Sequence, residues 1–288
     1  MMKATSILSL LSCALLGMLA TNAASAQSIF PDKNLESAVR KEVFEKRNND
    51  MPIVEGDVAN ISQVVWKGKE GKKVANLSGL EKCRSIQAVE LDGNEITDLA
   101  PLKDLKNIQL LSLRNNKIKD LSPLAGLTNL QYLQLENNEI EDLAPLAGLT
   151  NMRSLYLSNN KIKNVAPIAN LKKMWSLYLG GNQVTDIKPL AGLKDLDTIN
   201  LSGNGLADIS PLAGLQPSKF LFLQGNQIND LGVLVGMAKK DAEGEKAEKR
   251  FALYWYVDVS GNPLSDGAKG AQLAELRKLG NPDRIIFK

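Results

Sequence analysis

Carboxylate side chains recur at a fixed spacing along most of the chain. An aspartate stands every 22 residues, except that Asn164 replaces it once and the final interval is 36 residues. These positions, which we call the aspartate column, are Asp98, Asp120, Asp142, Asp186, Asp208, Asp230 and Asp266. Stacked carboxylates could bind calcium, which prefers oxygen ligands, or cap short helical turns by accepting hydrogen bonds from backbone N–H groups. Because Asn164 suits the capping role equally well, we predict capping and no metal site.

Histidine is absent from all 288 residues of the chain. Its absence excludes the Ser-His-Asp triad, the Cys-His pair and every imidazole metal site. The sequence also lacks a P-loop, a GxGxxG motif and paired cysteines of the kind that bind zinc. The formal net charge of +3 shows no basic excess of the kind that nucleic-acid-binding proteins carry. We therefore predict no catalytic residues, no cofactor and no nucleic-acid partner.

The N-terminal residues 1–26 have the pattern of a secretory signal peptide. Lys3 supplies the positive end, residues 7–20 form an apolar run, and small residues at 24–26 precede the predicted cleavage before Gln27. The apolar run is shorter than the roughly 20 residues that a transmembrane helix needs. The sequence therefore predicts a secreted or periplasmic protein without a transmembrane segment.

The sequence contains two cysteines, Cys13 and Cys83. Cys13 leaves with a cleaved signal peptide; the alternative is a lipoprotein, because Leu-Leu-Ser at 10–12 followed by Cys13 is similar to a lipobox. Cys83 then has no partner for an internal disulfide. It stands at a repeat position that leucine fills elsewhere, so we predict a small buried hydrophobic side chain.

A repeat of 22 residues positions the aspartate column. Its unit reads LxxLxLxxNxIxDLxPLxGLxx, and the last unit follows a 14-residue insertion. The alternating LxLxxN part predicts a strand, whereas segments such as DLAPLAGL at 142–149 predict a single helical or 3₁₀ turn. One unit buries too little apolar surface to fold alone, so the units must stack on one another.

An asparagine ends the predicted strand of each unit. Its amide can donate to and accept from the neighbouring loop backbone, so stacked units predict a structural asparagine ladder. Loss of one rung should cost about 1–3 kcal/mol through unsatisfied polar groups. The ladder consists of Asn94, Asn116, Asn138, Asn160, Asn182, Asn204, Asn226 and Asn262.

The repeat resembles the internalin type of leucine-rich repeat, as LQLENNEIEDLAPLAGLTNM at 133–152 illustrates. The segment IFPDKNLESAVRKEV at 29–43 is similar to the helical cap that precedes internalin repeats, with Asp32 as the helix N-cap. The resemblance implies an α/β solenoid, a right-handed superhelix with a concave parallel β-sheet and short 3₁₀ or turn segments on its convex side. It also implies a scaffold that binds partner proteins on the concave sheet.

The predicted organisation follows from the repeat boundaries. It comprises a signal peptide (1–26), a helical N-terminal cap (27–60), leucine-rich repeats (61–266) with a charged insertion in 230–252, and a C-terminal cap (267–288). The repeats are a degenerate first unit and about eight regular ones. For the C-terminal cap we expect a helix over about 267–279 and a strand at 284–287, without the immunoglobulin-like and wall-anchoring parts of internalins.

Aromatic residues are scarce, at 5% of the chain, but they are concentrated. Four of the five tyrosines and two of the six phenylalanines lie four or six positions before a ladder asparagine, where strand side chains face outward. Two tryptophans border them, and together they form the predicted binding strip: Tyr132, Tyr156, Trp175, Tyr178, Phe220, Phe222, Trp255 and Tyr256. Exposed apolar patches usually mark binding sites, although cross-strand packing also favours aromatic residues in sheets.

These observations together predict an exported, monomeric, non-enzymatic leucine-rich-repeat protein. We expect it to recognise a partner protein through the aromatic strip on its concave sheet. The alternative ligand is a cell-envelope glycan, because tyrosine and tryptophan faces also stack on sugar rings, and a structural role in the envelope is a further alternative. The charged run at 239–250 is either a solvated helix or loop, or part of the partner contact.

Overall fold

The computed structural model describes residues 27–215, 220–243 and 255–288. The predicted signal peptide and the alternative lipid anchor at Cys13 lie outside the described residues. So does most of the charged run, since residues 244–250 are not described.

Ten short parallel strands form one open sheet in which each strand pairs with the next along the chain. Leu133 pairs with Leu155, and Leu155 with Leu177, so equivalent repeat positions stand side by side. The strands are β1 (Gln63–Val65), β2 (Ala88–Glu90), β3 (Leu110–Ser112), β4 (Tyr132–Gln134), β5 (Ser154–Tyr156), β6 (Ser176–Tyr178), β7 (Thr198–Asn200), β8 (Phe220–Phe222), β9 (Tyr256–Asp258) and β10 (Ile285–Ile286).

Short 3₁₀ turns return the chain from one strand to the next. A proline stands near the start of six of them. Proline lacks a backbone N–H, and this costs no hydrogen bond there because N–H groups at the start of a helical turn have no acceptor within the turn. The repeat turns are Leu80–Lys82, Ala100–Leu102, Ser122–Leu124, Ala144–Leu146, Ala166–Ile168, Lys188–Gly192 and Ser210–Gly214. Leucines of the strands and of the turns pack between these two layers and are fully buried, as Leu133 and Leu146 are. The predicted α/β leucine-rich-repeat solenoid is confirmed.

Helical caps cover the two ends of the solenoid core. At the N-terminus, α1 (Lys33–Glu42) is followed by a 3₁₀ turn at Phe44–Lys46 and by the one-turn α2 (Glu55–Val58). At the C-terminus, a π-helical turn (Ala268–Gln272) leads into α4 (Leu273–Leu279), and after a 3₁₀ turn β10 extends the sheet. The expected cap helix and terminal strand are both present.

The insertion before the last repeat replaces a 3₁₀ turn with a regular helix, α3 (Gly232–Glu243). Leu234 and Ala238 of α3 are buried. Gln272 Nε2 donates to Asp230 Oδ2 over 2.7 Å, and Lys239 Nζ lies 3.7 Å from Glu275 Oε1. The described part of the insertion therefore packs against the C-terminal cap.

Asp32 joins the N-terminal cap to the first repeat. Its Oδ1 accepts from the backbone N–H groups of Asn34 and Leu35 at 2.9 and 3.1 Å, as predicted for a helix N-cap. Its Oδ2 accepts from those of Ala75 and Asn76 at 2.8 and 3.2 Å. One carboxylate thus satisfies donors in two elements.

Asp32→Ala should lower the free energy of unfolding by about 2 kcal/mol, because four backbone donors lose their acceptor. Urea denaturation followed by circular dichroism measures the change. Asp98→Ala is the matched control, since the Asp98 carboxylate accepts from the N–H of Ala100 in a single exposed turn, and it should cost less than about 1 kcal/mol. Equal losses in the two variants would contradict the joining role.

Cys83 is fully buried, as the sequence predicts. Burial raises the pKa of its thiol to about 12, and the nearby Glu81 carboxylate contributes in the same direction. The thiol therefore stays protonated and serves packing.

None of the helices in the described ranges has the length and hydrophobicity of a transmembrane segment.

Candidate binding surface

The outer face of the sheet carries the residues that can meet a ligand. In each three-residue strand the middle side chain enters the core, while the first and third face outward. In β5, for example, Leu155 is buried and Tyr156 is half-buried on the outer face. The parallel register places the outward residues in columns that run across the repeats.

Most of the predicted strip lies on this outer face. Tyr132, Trp175 and Phe220 are exposed, at 43%, 56% and 39% of their full accessible area. Four more of its residues are half-buried there: Tyr156, Tyr178, Phe222 and Tyr256.

The prediction for Trp255 is wrong, because this side chain is only 2% exposed and belongs to the core. Trp175, at the equivalent repeat position, is exposed. Trp255 follows the insertion and not a regular repeat turn, and burial of its large indole stabilises this end of the solenoid. We therefore remove Trp255 from the binding strip.

The half-buried aromatic residues form two groups. Tyr156 and Tyr178 stack with ring centroids 4.7 Å apart and planes inclined by 15°; we call them the tyrosine pair. Tyr256 of β9 makes tilted ring contacts with two residues of β8, Phe222 at 5.4 Å and the exposed Phe220 at 6.4 Å between ring centroids. Burial, and to a lesser degree the neighbouring Tyr156, raises the pKa of Tyr178. Both groups are thus held in place before any ligand arrives.

A polar network lies beside the tyrosine pair. Arg114 donates to Asp92 Oδ2 from Nη2 and Nε, at 2.7 and 3.1 Å. Ser112 Oγ lies 2.6 Å from Asp92 Oδ1 and 2.9 Å from Gln134 Oε1. Sequence reasoning missed this network. Its signal was present two positions before the ladder asparagines, where the charged residues Asp92, Arg114 and Glu136 precede a run of small or neutral residues.

Glu136 carries one of the unpartnered polar atoms of this surface. Its Oε2 is buried and has no hydrogen-bond partner among the residues that the structure describes. Burial raises the pKa of Glu136 and the Asp92 carboxylate adds to the rise, while the Arg114 guanidinium opposes it. The ionised carboxylate therefore destabilises the free protein.

Glu136→Gln should raise the free energy of unfolding at neutral pH by about 0.5–1 kcal/mol, a figure reduced for partial solvent exposure. The raised pKa means that the folded protein disfavours the ionised form. The cost is therefore present at neutral pH and disappears as the pH falls through the folded pKa toward the ordinary pKa of a glutamate side chain. Denaturation of both proteins between neutral and acidic pH should show the difference shrinking. Glu141→Gln, at an exposed position of the same repeat, is the control and should change nothing; a destabilised Glu136→Gln would contradict the account.

The aspartate column caps the repeat turns. Oδ1 of Asp98 accepts from the N–H of Ala100 at 2.8 Å, and Asn164 does the same for Ala166 at 2.9 Å. The same contact is made by Asp120, Asp142, Asp186, Asp208 and Asp230. At the last position of the column, Ser265 and not Asp266 caps the turn, because Ser265 Oγ accepts from the N–H of Ala268.

In the described ranges no three acidic or cysteine side chains gather as a metal site would require.

The ladder asparagines connect successive repeats behind the outer face. Asn160 Oδ1 accepts from the N–H of Ile140 at 3.0 Å, while its Nδ2 donates to the carbonyls of Leu135 and Leu157, both at 2.9 Å. The carbonyl of Leu135 also accepts from Asn138, so adjacent rungs share acceptors. Asn204 and Asn262 are half-buried, whereas the other six are buried. This network holds the strands in register and makes the outer face rigid.

Comparison with known proteins places the fold in a family. The family model described as leucine rich repeats (2 copies) matches residues 84–126, 106–148, 128–173 and 176–214. Comparison with curated protein sequences gives no significant match.

Solved structures give the more specific result. Internalin C2 of Listeria monocytogenes is 38% identical with a TM-score of 0.68, and the match covers 73% of this chain and 91% of that one. A leucine-rich-repeat protein of Leptospira interrogans shares the fold at 19% identity (TM-score 0.65, 81% of this chain and 62% of that one). The functional domain of InlJ from Listeria monocytogenes does so at 21% (TM-score 0.61, 83% and 53%). By its identity and coverage against internalin C2, the chain belongs to the internalin family of leucine-rich-repeat proteins.

Proposed function

We propose that the protein is an exported, non-enzymatic binding protein that recognises a partner protein through its outer sheet face. The binding strip consists of Tyr132, Tyr156, Trp175, Tyr178, Phe220, Phe222 and Tyr256. The observation that carries the proposal is the exposure of Tyr132 and Phe220 on one face of the sheet, together with the exposure of Trp175 at the residue before β6. Exposed aromatic side chains on a rigid surface are costly unless a ligand covers them.

Rigidity of the sheet supports the same proposal. The strands are paired in register, and the tyrosine pair is already stacked in the free protein. Binding therefore orders few side chains, and this part of the entropic cost of association is small. Tyrosine and tryptophan on such a surface serve as anchors worth about 2 kcal/mol or more each.

Ring orientation favours a protein over a glycan as the ligand. Sugar rings stack on open aromatic faces, but the rings of Tyr156 and Tyr178 stack on each other, so each covers one face of the other. The tyrosine pair therefore offers ring edges, hydroxyl groups and its two outer faces. This arrangement suits the mixed polar and apolar contacts of a protein surface.

Export and domain organisation complete the proposal. The signal pattern at 1–26 supports export of the mature chain, which we take to be a monomer. We propose that residues 27–60 and 267–288 cap the repeats at 61–266. Catalysis plays no part in the proposed function, because the strip acts by surface complementarity alone.

Photocrosslinking tests the proposal and identifies the partner. A benzoylphenylalanine at position 178 should crosslink a defined protein, which mass spectrometry then identifies. The same photoreactive residue at Lys163, an exposed position outside the sheet, is the control and should give no such adduct. Equal adducts from both positions, or none from position 178, would overturn the proposal.

A further inference from the structure

Side chains on β4 and β5 are held toward opposite neighbours. Tyr156 stacks on Tyr178 of β6, on one side. Gln134, which is paired with Tyr156 across the sheet, lies with its Oε1 2.9 Å from Ser112 Oγ of β3, on the other side. The outer face of Tyr156, away from Tyr178, has no aromatic partner among the described residues. We call the space between this ring face and β4 the Tyr156 notch.

A carboxylate borders the Tyr156 notch. Glu136 follows Gln134 by two residues, so its Cα lies roughly 8 Å from that of Tyr156, given strands about 4.8 Å apart. Its Oε2 is buried without a partner in the described part of the chain. Arg114, the nearest guanidinium, is engaged by Asp92. An unpartnered carboxylate oxygen and an aromatic face without an aromatic partner thus lie on adjacent strands of the described protein.

Charge on the outer face selects the ligand. The positions two, four and six before the ladder asparagines carry four acidic residues, Glu90, Asp92, Glu136 and Asp258, and one basic residue, Arg114. This surface is therefore acidic although the whole chain has a net charge of +3. Complementarity requires a basic partner surface.

We propose that the Tyr156 notch receives an arginine side chain of the partner protein, a conclusion that rests on the proposed function. A planar guanidinium stacks flat on a tyrosine ring, and its in-plane N–H groups donate to the adjacent carboxylate of Glu136. Lysine offers no plane to stack and only a point charge. The partner segment is thus a basic one with arginine at its centre.

A random peptide library displayed on phage is the probe, selected against the immobilised mature chain. Recovered peptides should be enriched in arginine relative to the starting library. They should bind Glu136→Gln about tenfold or more weakly than the wild type, and replacement of the peptide arginine by lysine should weaken binding severalfold. Glu141→Gln, the exposed control in the same repeat, should bind as the wild type does. The thermal melt of Glu136→Gln shows that lost binding is not unfolding.

The outcomes separate this inference from the function on which it rests. Peptides that lose binding to Tyr156→Ala but show no arginine enrichment, or that bind Glu136→Gln normally, overturn the arginine notch and leave the binding strip intact. Peptides that bind both variants normally overturn the strip as well. Failure to recover any peptide that is sensitive to Tyr156→Ala also counts against the notch.

Discussion

Asn160→Ala should lower the free energy of unfolding by about 2–3 kcal/mol. The N–H of Ile140 loses its acceptor and is buried without another. The carbonyls of Leu135 and Leu157 each lose one of two amide donors, because Asn138 and Asn182 still serve them. Urea denaturation monitored by circular dichroism measures the loss.

Sharing of acceptors predicts coupling between rungs. In a variant with both Asn138→Ala and Asn160→Ala, the carbonyl of Leu135 loses both amide donors. The loss of unfolding free energy in this double variant should therefore exceed the sum of the losses in the two single variants. Asn159→Gly is the matched control. Asn159 is exposed, its φ of 58° suits glycine, and it donates one exposed hydrogen bond to Asn137. A control as unstable as Asn160→Ala would show that position in the turn, and not the buried amide, determines stability.

Tyr156→Ala should weaken partner binding about thirtyfold, the effect of removing an anchor worth about 2 kcal/mol. Tyr178 stacks on Tyr156 and loses its support at the same time. The double variant Tyr156→Ala, Tyr178→Ala should therefore bind about a hundredfold more weakly than the wild type, less than the product of two independent losses. Surface plasmon resonance with the crosslinked partner measures both affinities.

Phe44→Ala is the control for an exposed aromatic residue outside the strip. Phe44 is 83% exposed on the N-terminal cap, and its removal should leave the affinity unchanged. Thermal melts should show all three variants folded, because none of these side chains belongs to the buried core. An equal loss of affinity in Phe44→Ala would mean that the cap, and not the sheet, contacts the partner.

The repeat made most of the fold predictable from the sequence. Strict spacing placed the strands, the register and the turns, and a leucine position filled by Cys83 predicted a buried thiol. Asp32 was recognisable as an N-cap because capping depends on neighbours along the chain. Each of these conclusions uses contacts that recur once per repeat or that are local in sequence.

Departures from the repeat limited what the sequence could predict. The inward orientation of Trp255 depends on the chain path after the insertion, which the repeat pattern does not contain. The orientation of Gln134 depends on Ser112, and the isolation of Glu136 Oε2 depends on side chains of several strands. Columns predict which residues are neighbours, but hydrogen bonding between columns determines which of them stay available to a ligand.

Hydroxyl-radical footprinting of the complex tests most directly whether the outer sheet face is the binding surface. The three exposed aromatic residues of the strip, Tyr132, Trp175 and Phe220, report on the sheet, and Phe44 reports on the cap. We expect oxidation of the three strip residues to fall severalfold when the partner binds, while oxidation of Phe44 stays the same. Unchanged oxidation of the strip in a fully formed complex would contradict the account.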